Sequence, residues 1–261
     1  MRIDGLKDGM RPVVAIIQAR MSSTRLPGKV MKEICGKPVL FHVVNRLRAS
    51  RLIERVMVAT TVEPSDDVIE RWCVDNNVER HRGSLNDVLE RYYEAAKKAG
   101  ARTIVRITAD CPLIDPEIVD MVIEKFSAGA FDHAGTEATY PDGLDAEVFS
   151  FQALERAFYG ARLASEREHV TPYIWKNKDI FRLAVVKNDE DLSHMRWTVD
   201  DEKDFTLVTR IFEGFKCTGR AFNMKEILDF LGRNPELMSI NSTTVRNEGY
   251  AKSLREDKTV R

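Results

Sequence analysis

The sequence predicts a doubly wound α/β fold, and three observations predict it. Val13-Val14-Ala15-Ile16-Ile17 is a continuous apolar run of the kind found in a central parallel strand. Through the first half of the chain, runs of strand length alternate with runs of helical spacing. Capping and turn residues stand where the period changes, as they do at helix ends.

Taken in order, the run at 13–17 leads into a loop, and Gly36-Lys37-Pro38 opens the helix "VLFHVVNRLRAS" with Pro at its first turn. "RVMVAT" (55–60) reads as a strand, and Ser65 or Asp66 can cap the helix "DDVIERWCVDNN". Ser84 and Asp87 give a capping-box-like start to "NDVLERYYEAAKKAG", which stops at Gly100. "TIVRIT" (103–108) is the next strand, and Asp115-Pro116 starts the helix "PEIVDMVIEKF". The second half is less regular. "DAEVFS" (145–150) alternates like a strand, "FQALERAFYGA" has helical spacing, and "REHVTPYIWKN" predicts a helix bent near Pro172. "FRLAVV" and "RWTV" read as strands before the helix "EKDFTLVTRIFEGF", where Asp201 and Asp204 favour the N-terminus.

Composition narrows the function classes. Of 261 residues, 40 are Lys or Arg and 41 are Asp or Glu, so the net charge of −1 argues against a general nucleic-acid binder and any positive site must be local. No apolar run approaches the roughly 20 residues of a membrane span. The N-terminal MRIDGLKDGMRP lacks a signal-peptide core. Cys35, Cys73, Cys111 and Cys217 are widely spaced with no CxxC pair, which predicts reduced thiols in a cytoplasmic protein rather than a disulfide framework or a zinc site.

Chemistry concentrates at strand ends, where ligands of open α/β sheets bind. "ARMSSTRLPGK" follows the first strand and gathers Arg20, Arg25 and Lys29 with Ser22, Ser23 and Thr24. Cations, hydroxyls and loop N–H groups suit a polyanion, most simply a nucleoside triphosphate. The loop is neither GxxxxGK[ST] nor GxGxxG, because Val30 follows Gly28-Lys29 and the upstream glycine is absent. Asp110, in "ITADCPLID", stands at another strand end and can hold Mg²⁺ against phosphate oxygens. Asp115 is a helix cap ahead of Pro116. Asp200, after "RWTV", can complete a two-carboxylate site for phosphoryl or nucleotidyl transfer.

Together "IIQARMSSTRLPGKVM", "RGSLNDVLERYYEAA", "RITADCPLIDP", "YPDGLDAEVFS", "SEREHVTPYI" and "RWTVDDEKDF" resemble the SpsF-like spore-coat-polysaccharide cytidylyltransferases, relatives of the acylneuraminate and 3-deoxy-manno-octulosonate cytidylyltransferases. The resemblance covers about residues 12 to 215 and is most specific in the first stretch. It implies a nucleotide-diphospho-sugar transferase fold, a Rossmann-like, GT-A-like three-layer sandwich with a mostly parallel mixed sheet. It further implies a homodimer; the chain itself reads as one nucleotidyltransferase domain over 1–245 followed by a polar, unpatterned, loose tail over 246–261.

The implied site follows the motif positions. Arg20, Arg25 and Lys29 correspond to the residues that bind the CTP triphosphate, with Ala19 and Ser22 beside them. Asp110 and Asp200 would hold Mg²⁺, and Arg20, Lys29 and Asp110 would carry the reaction. Thr60, Thr61, Arg82, Gly83 and Asp87 match less closely the segments that read base and ribose. Tyr140, Asp142, Asp145, Glu147, Glu166, Arg167, Glu168 and His169 are the acceptor-side candidates, since sugar hydroxyls need carboxylates and a negative group needs Arg or His. Glu166 and Glu168 read equally well as helix-start acids. The "RLPGK" ending is closer to the octulosonate type, while the acceptor segments match neither group of relatives. The implied reaction is CTP-dependent activation of a sugar or sugar acid, with pyrophosphate release, for surface polysaccharide. A glycosyltransferase of the same fold using a nucleotide-sugar donor is the alternative. It typically holds metal through a D-x-D pair, which "DVLERYY" and "TADCP" lack.

Overall fold

The computed structural model describes residue 6, residues 8–244, residue 246 and residues 248–260. In chain order its first elements are β1 (Val13–Gln18), the two-residue strands β2 (Glu33–Ile34) and β3 (Lys37–Pro38), α1 (Val39–Arg48), β4 (Arg55–Thr61) and α2 (Asp67–Asp75). Next come β5 (Glu79–Gly83), α3 (Val88–Ala99), β6 (Thr103–Thr108), α4 (Pro116–Ala128), β7 (His133–Thr136) and β8 (Glu147–Ser150). The remainder holds α5 (Phe151–Gly160), α6 (Ala164–His169), α7 (Pro172–Lys176), β9 (Leu183–Val186), α8 (Glu202–Gly214), α9 (Met224–Arg233) and α10 (Glu248–Arg255).

Seven strands form one sheet in the order β5-β4-β1-β6-β8-β7-β9. Only β8 runs antiparallel to its neighbours β6 and β7; the other pairs are parallel. β1 is buried on both sides because successive residues feed different cores. Val13, Ala15 and Ile17 pack with Leu40, Val43, Ile69, Val119 and Ile123 of α1, α2 and α4. Val14 and Ile16 pack with Leu89, Tyr92, Leu154 and Ile174 of α3, α5 and α7. This is the three-layer sandwich with a mostly parallel mixed sheet that the resemblance implies. Tyr92 fixes α3 to the sheet, its buried hydroxyl donating to the carbonyls of Ile16 (3.0 Å) and Ile107 (3.3 Å). A third apolar cluster joins α8 and α9 to Leu113, Ile118, Tyr140, Leu144 and Trp197 beside the sheet.

The structure differs from the sequence reading in several places. "RWTV" is not a strand: Arg196 makes an isolated bridge with Asp142, and Val199 N–H donates to the carbonyl of Asp110 at 2.7 Å. Its backbone is therefore satisfied by two loops instead of a ladder. β5, "ERHRG", is an edge strand whose residues are all half-buried, a polar pattern that hides a strand. Cys35 and Cys217, 182 residues apart, form a disulfide with Cα atoms 5.6 Å apart, where reduced thiols were expected. The fold brings the β2–β3 turn against the segment after α8, and spacing along the chain carries no trace of that. Cys73 and Cys111 are free and buried, and burial pushes the Cys73 thiol up to about 12. The stretch expected as a loose tail contains α10, which packs on α6. Asp257 accepts from the Ser165 hydroxyl at 2.7 Å, and Leu163 bridges Thr259.

Candidate active site

Because β1 and β6 are neighbours, the loop after β1 and Asp110 after β6 meet at one carboxyl edge of the sheet. Ala19 is buried where the chain leaves β1, and Arg20, Ser22, Thr24 and Arg25 are exposed. Arg20 makes no ion pair among the described residues. The loop is anchored by Asp66, whose buried carboxylate accepts from Met21 N–H at 2.7 Å and from the hydroxyls of Thr60 and Thr61. A left-handed turn at Gly28, φ 69°, then reverses the chain and aims Lys29 inward. Its Nζ lies 2.6 Å from Asp110 Oδ2 and 2.7 Å from Asp200 Oδ1. Burial works against the Lys29 ammonium, yet Asp110 and Asp200 overcome it and hold its pKa above the ordinary lysine value.

Asp200 reaches this point without a strand. Thr198 Oγ1 donates to the Asp110 carbonyl at 3.1 Å, which docks the 196–200 segment on the end of β6. Arg25 Nη2 lies 3.0 Å and Arg196 Nη2 2.6 Å from Asp200 Oδ2. Burial alone would raise the Asp200 carboxyl, but Lys29, Arg25 and Arg196 bring it down to about 2. Arg196 also pairs with Asp142 and with fully buried Asp204, so one guanidinium serves three carboxylates. Asp142 lies in a loop that passes close to the Trp197 backbone. A Cβ on Gly143, φ 106°, would meet Thr198 N at 2.6 Å. Burial and Asp145 push the Asp142 carboxyl up to about 6 against Arg196. Asp145 accepts from Arg246 Nη2 at 2.6 Å.

Beyond β6 a second polar cluster lies across the sheet. Glu147 on β8 accepts from Arg106 on β6 at 2.6 Å and pairs with His133 on β7 at 3.0 Å. Burial opposes its charge, yet Arg106 and His133 lower the carboxyl to about 2. Arg106 Nη2 also reaches Gln18 at the end of β1, 3.3 Å away.

The other expected residues make contacts within the scaffold. Tyr140 is buried in the apolar cluster that joins α8 and α9. Glu166 Oε2 accepts from the N–H groups of Arg162 and Leu163 at 3.0 and 3.1 Å, closing the start of α6 as a helix-start acid does. Arg167, 3% exposed, clasps Asp87 and donates to the Phe158 carbonyl at 2.8 Å. Asp87 itself caps α3, accepting from Glu90 N–H at 2.9 Å. This nucleotide-side candidate and this acceptor-side candidate are therefore one structural pair. His169 pairs with Ser253 on α10 at 2.9 Å, and Glu168 accepts from the same hydroxyl at 2.8 Å. Arg82 reaches Asp67 and Glu70 of α2 and the Thr61 carbonyl, next to Gly83 at the end of β5.

Sequence reading missed Arg196 and Arg106, and it read Asp66 as a cap of α2, whereas Asp66 stands at that N-cap but turns its carboxylate to the loop after β1. Asp204, read as a helix-start acid, does stand in the first turn of α8, where it is also the buried acceptor of Arg196 and of Asn241 (2.8 Å). A spaced acidic pair does occur at Asp189 and Asp191, both exposed after β9, where Asp191 accepts from Ser193 N–H. Among the described residues no group of three or more His, Cys, Asp and Glu side chains could hold a metal ion. Asp110 and Asp200 nevertheless share one ammonium between them, so the pair already surrounds a cation position. Two carboxylates completed by substrate oxygens and water suit Mg²⁺. Among the described residues no helix is long and apolar enough to cross a membrane.

The cytidylyltransferase family model matches residues 14–228. An uncharacterized protein of Methanocaldococcus jannaschii is 37% identical over 240 residues, 91% of this chain and 97% of its own length. The spore coat polysaccharide biosynthesis protein SpsF of Bacillus subtilis is 30% identical over 247 residues, 87% of this chain and 97% of its own. A cytidylyltransferase structure from Leptospira borgpetersenii superposes with a TM-score of 0.82 at 33% identity, covering 89% of this chain and 98% of that one. A CMP:2-keto-3-deoxy-manno-octonic acid synthetase complexed with CTP matches in fold, with a TM-score of 0.59 at 18% identity over 77% of this chain and 98% of its own.

Proposed function

The chain belongs to the cytidylyltransferase family and is a nucleotidyltransferase, and on that premise we propose that it transfers a cytidylyl group from CTP to a sugar or sugar acid, releasing pyrophosphate. The observation that carries the reading is the meeting of the cationic loop with Asp110 and Asp200 at the carboxyl edge of β1 and β6. Relatives support the nucleotide: a solved structure of this fold is complexed with CTP. The SpsF relative supports a role in polysaccharide assembly. We further propose that the protein is a homodimer.

In this reading the triphosphate lies along residues 20–29. Arg20, exposed and without an ion pair among the described residues, receives a phosphate oxygen, and Arg25 and Lys29 turn from Asp200 and Asp110 to the leaving pyrophosphate. Asp110 and Asp200 would hold Mg²⁺, which when bound offsets charge on the α-phosphate and the attacking hydroxyl. Arg196 keeps Asp200 ionised and aimed, and Asp204 keeps Arg196 in place. Positioning and charge neutralisation supply most of the acceleration. The acceptor sits over β8, where Arg106, Glu147 and Gln18 offer donors and acceptors to hydroxyls. Asp142 shares Arg196 with Asp200, and Asp145 pairs with Arg246.

The test is pyrophosphate release from each of the four nucleoside triphosphates against a panel of 2-keto-3-deoxy acids and sugar phosphates. Release that requires CTP and one acceptor class is the expected result. Release from no triphosphate with any acceptor, alongside transfer from a nucleotide sugar, would replace this reading with the glycosyltransferase one.

A further inference from the structure

We propose that Lys29 is the resident counter-cation of Asp110 and Asp200 in the nucleotide-free protein, so that a divalent ion enters together with the nucleotide and not ahead of it. This rests on the reading of the site given above and adds an order of binding to it. Lys29 Nζ sits 2.6 Å from one carboxylate and 2.7 Å from the other, with its side chain only 11% exposed. A magnesium ion bound by the same oxygens would lie about 2.0–2.1 Å from each. The ion and the ammonium therefore cannot share the space between the two acids. Nor can the ammonium simply withdraw, because a buried cation stripped of its carboxylates has lost its compensating charge.

A metal-bound triphosphate resolves both difficulties at once. It brings a cation for Asp110 and Asp200 and, in the same complex, phosphate oxygens that can receive the ammonium. Lys29 is built for that exchange. Its backbone is held by the Gly28 turn, with Gly28 N–H donating to the Met21 carbonyl at 3.0 Å, while its four-carbon stem can swing. Arg196 remains on Asp200, so the site is not left bare while the ammonium moves.

The test is Mn²⁺ binding, read from the free-ion electron paramagnetic resonance signal, with no nucleotide present. Wild type should bind Mn²⁺ weakly, and Lys29→Met should bind it at least about tenfold more tightly because a like charge has left the site. The double variant Lys29→Met/Asp110→Asn should lose that gain. Addition of CTP should tighten Mn²⁺ binding to wild type. Thermal melting of Lys29→Met checks its fold, and the wild-type arm needs no variant: tight Mn²⁺ binding to wild type without nucleotide overturns the proposal. Equal affinity in wild type and a folded Lys29→Met overturns it too, even where CTP binds. A gain in Lys29→Met with no CTP binding to wild type keeps the counter-cation role and removes the cytidylyl reading instead.

Discussion

Two short stretches carry comparable charge in the sequence and use it in opposite ways. Residues 20–29 send Lys29 onto Asp110 and Asp200 and Arg25 onto Asp200 and Glu248 of α10, and leave Arg20 exposed. Residues 165–169 commit Glu166 to the backbone of α6, Arg167 to Asp87 and His169 to Ser253. The difference lies in where the partners come from. The first stretch meets Asp110 at the end of β6 and Asp200 in the segment docked on it, at the edge where this architecture binds ligands. The second meets the cap of α3 and the face of α10, and its ion pair and hydrogen bonds tie α6 to both helices. Charge density marks a region of interest; partner identity decides between chemistry and scaffold.

The largest effect that would sharpen this contrast is at Asp110. Asp110→Asn, which leaves Lys29 paired with Asp200 alone, should lower the melting temperature but stay folded, and lower kcat by on the order of 10²–10³, the usual size for losing a preorganised charge at a reacting phosphate. Near-normal turnover would remove Asp110 from the site. Arg167→Ala should do the reverse, costing about 3 kcal/mol of stability because Asp87 loses its partner in a largely buried site. The folded fraction should keep the acceptor KM of wild type. A raised KM with unchanged stability would return Arg167 to the acceptor side. A smaller effect is expected at Glu147, whose carboxyl is lower in the folded protein, about 2, than its ordinary value of 4.5. Its contribution is present above pH 4.5 and is lost as pH falls toward 2. Melting curves of wild type and Glu147→Gln should therefore differ most near neutrality and converge in acid. A gap that does not vary with pH would mean that Glu147 is not held ionised by Arg106 and His133.

How much of this was legible in the sequence follows from where each signal is stored. β1, β4 and β6 were readable because a central parallel strand is apolar on both faces, and the helices between them carried caps that work locally, such as Asp87 and Asp115. β5 was hidden by its polar edge position, and β7, four residues with a glycine, by its brevity. Among site residues, Lys29, Asp110 and Asp200 were visible as charges at predicted strand ends or loops. Arg196 was not, because its meaning depends on Asp142, Asp200 and Asp204 converging from separate loops and a helix. The Cys35–Cys217 disulfide and the docking of α10 through Ser253 and Asp257 are likewise contacts of the folded chain, with no periodic pattern to announce them.

The claim that residues 20–29 are the triphosphate site is tested most directly by titration calorimetry of CTP and CMP with wild type, Lys29→Ala and Arg167→Ala. The account predicts that Lys29→Ala weakens CTP binding by about 1.5–3 kcal/mol, the scale of a charged hydrogen bond. CMP, without β- and γ-phosphates, should be much less affected, and folded Arg167→Ala should bind both as wild type does. Equal losses for CTP and CMP in Lys29→Ala, or a CTP loss confined to Arg167→Ala, would contradict it.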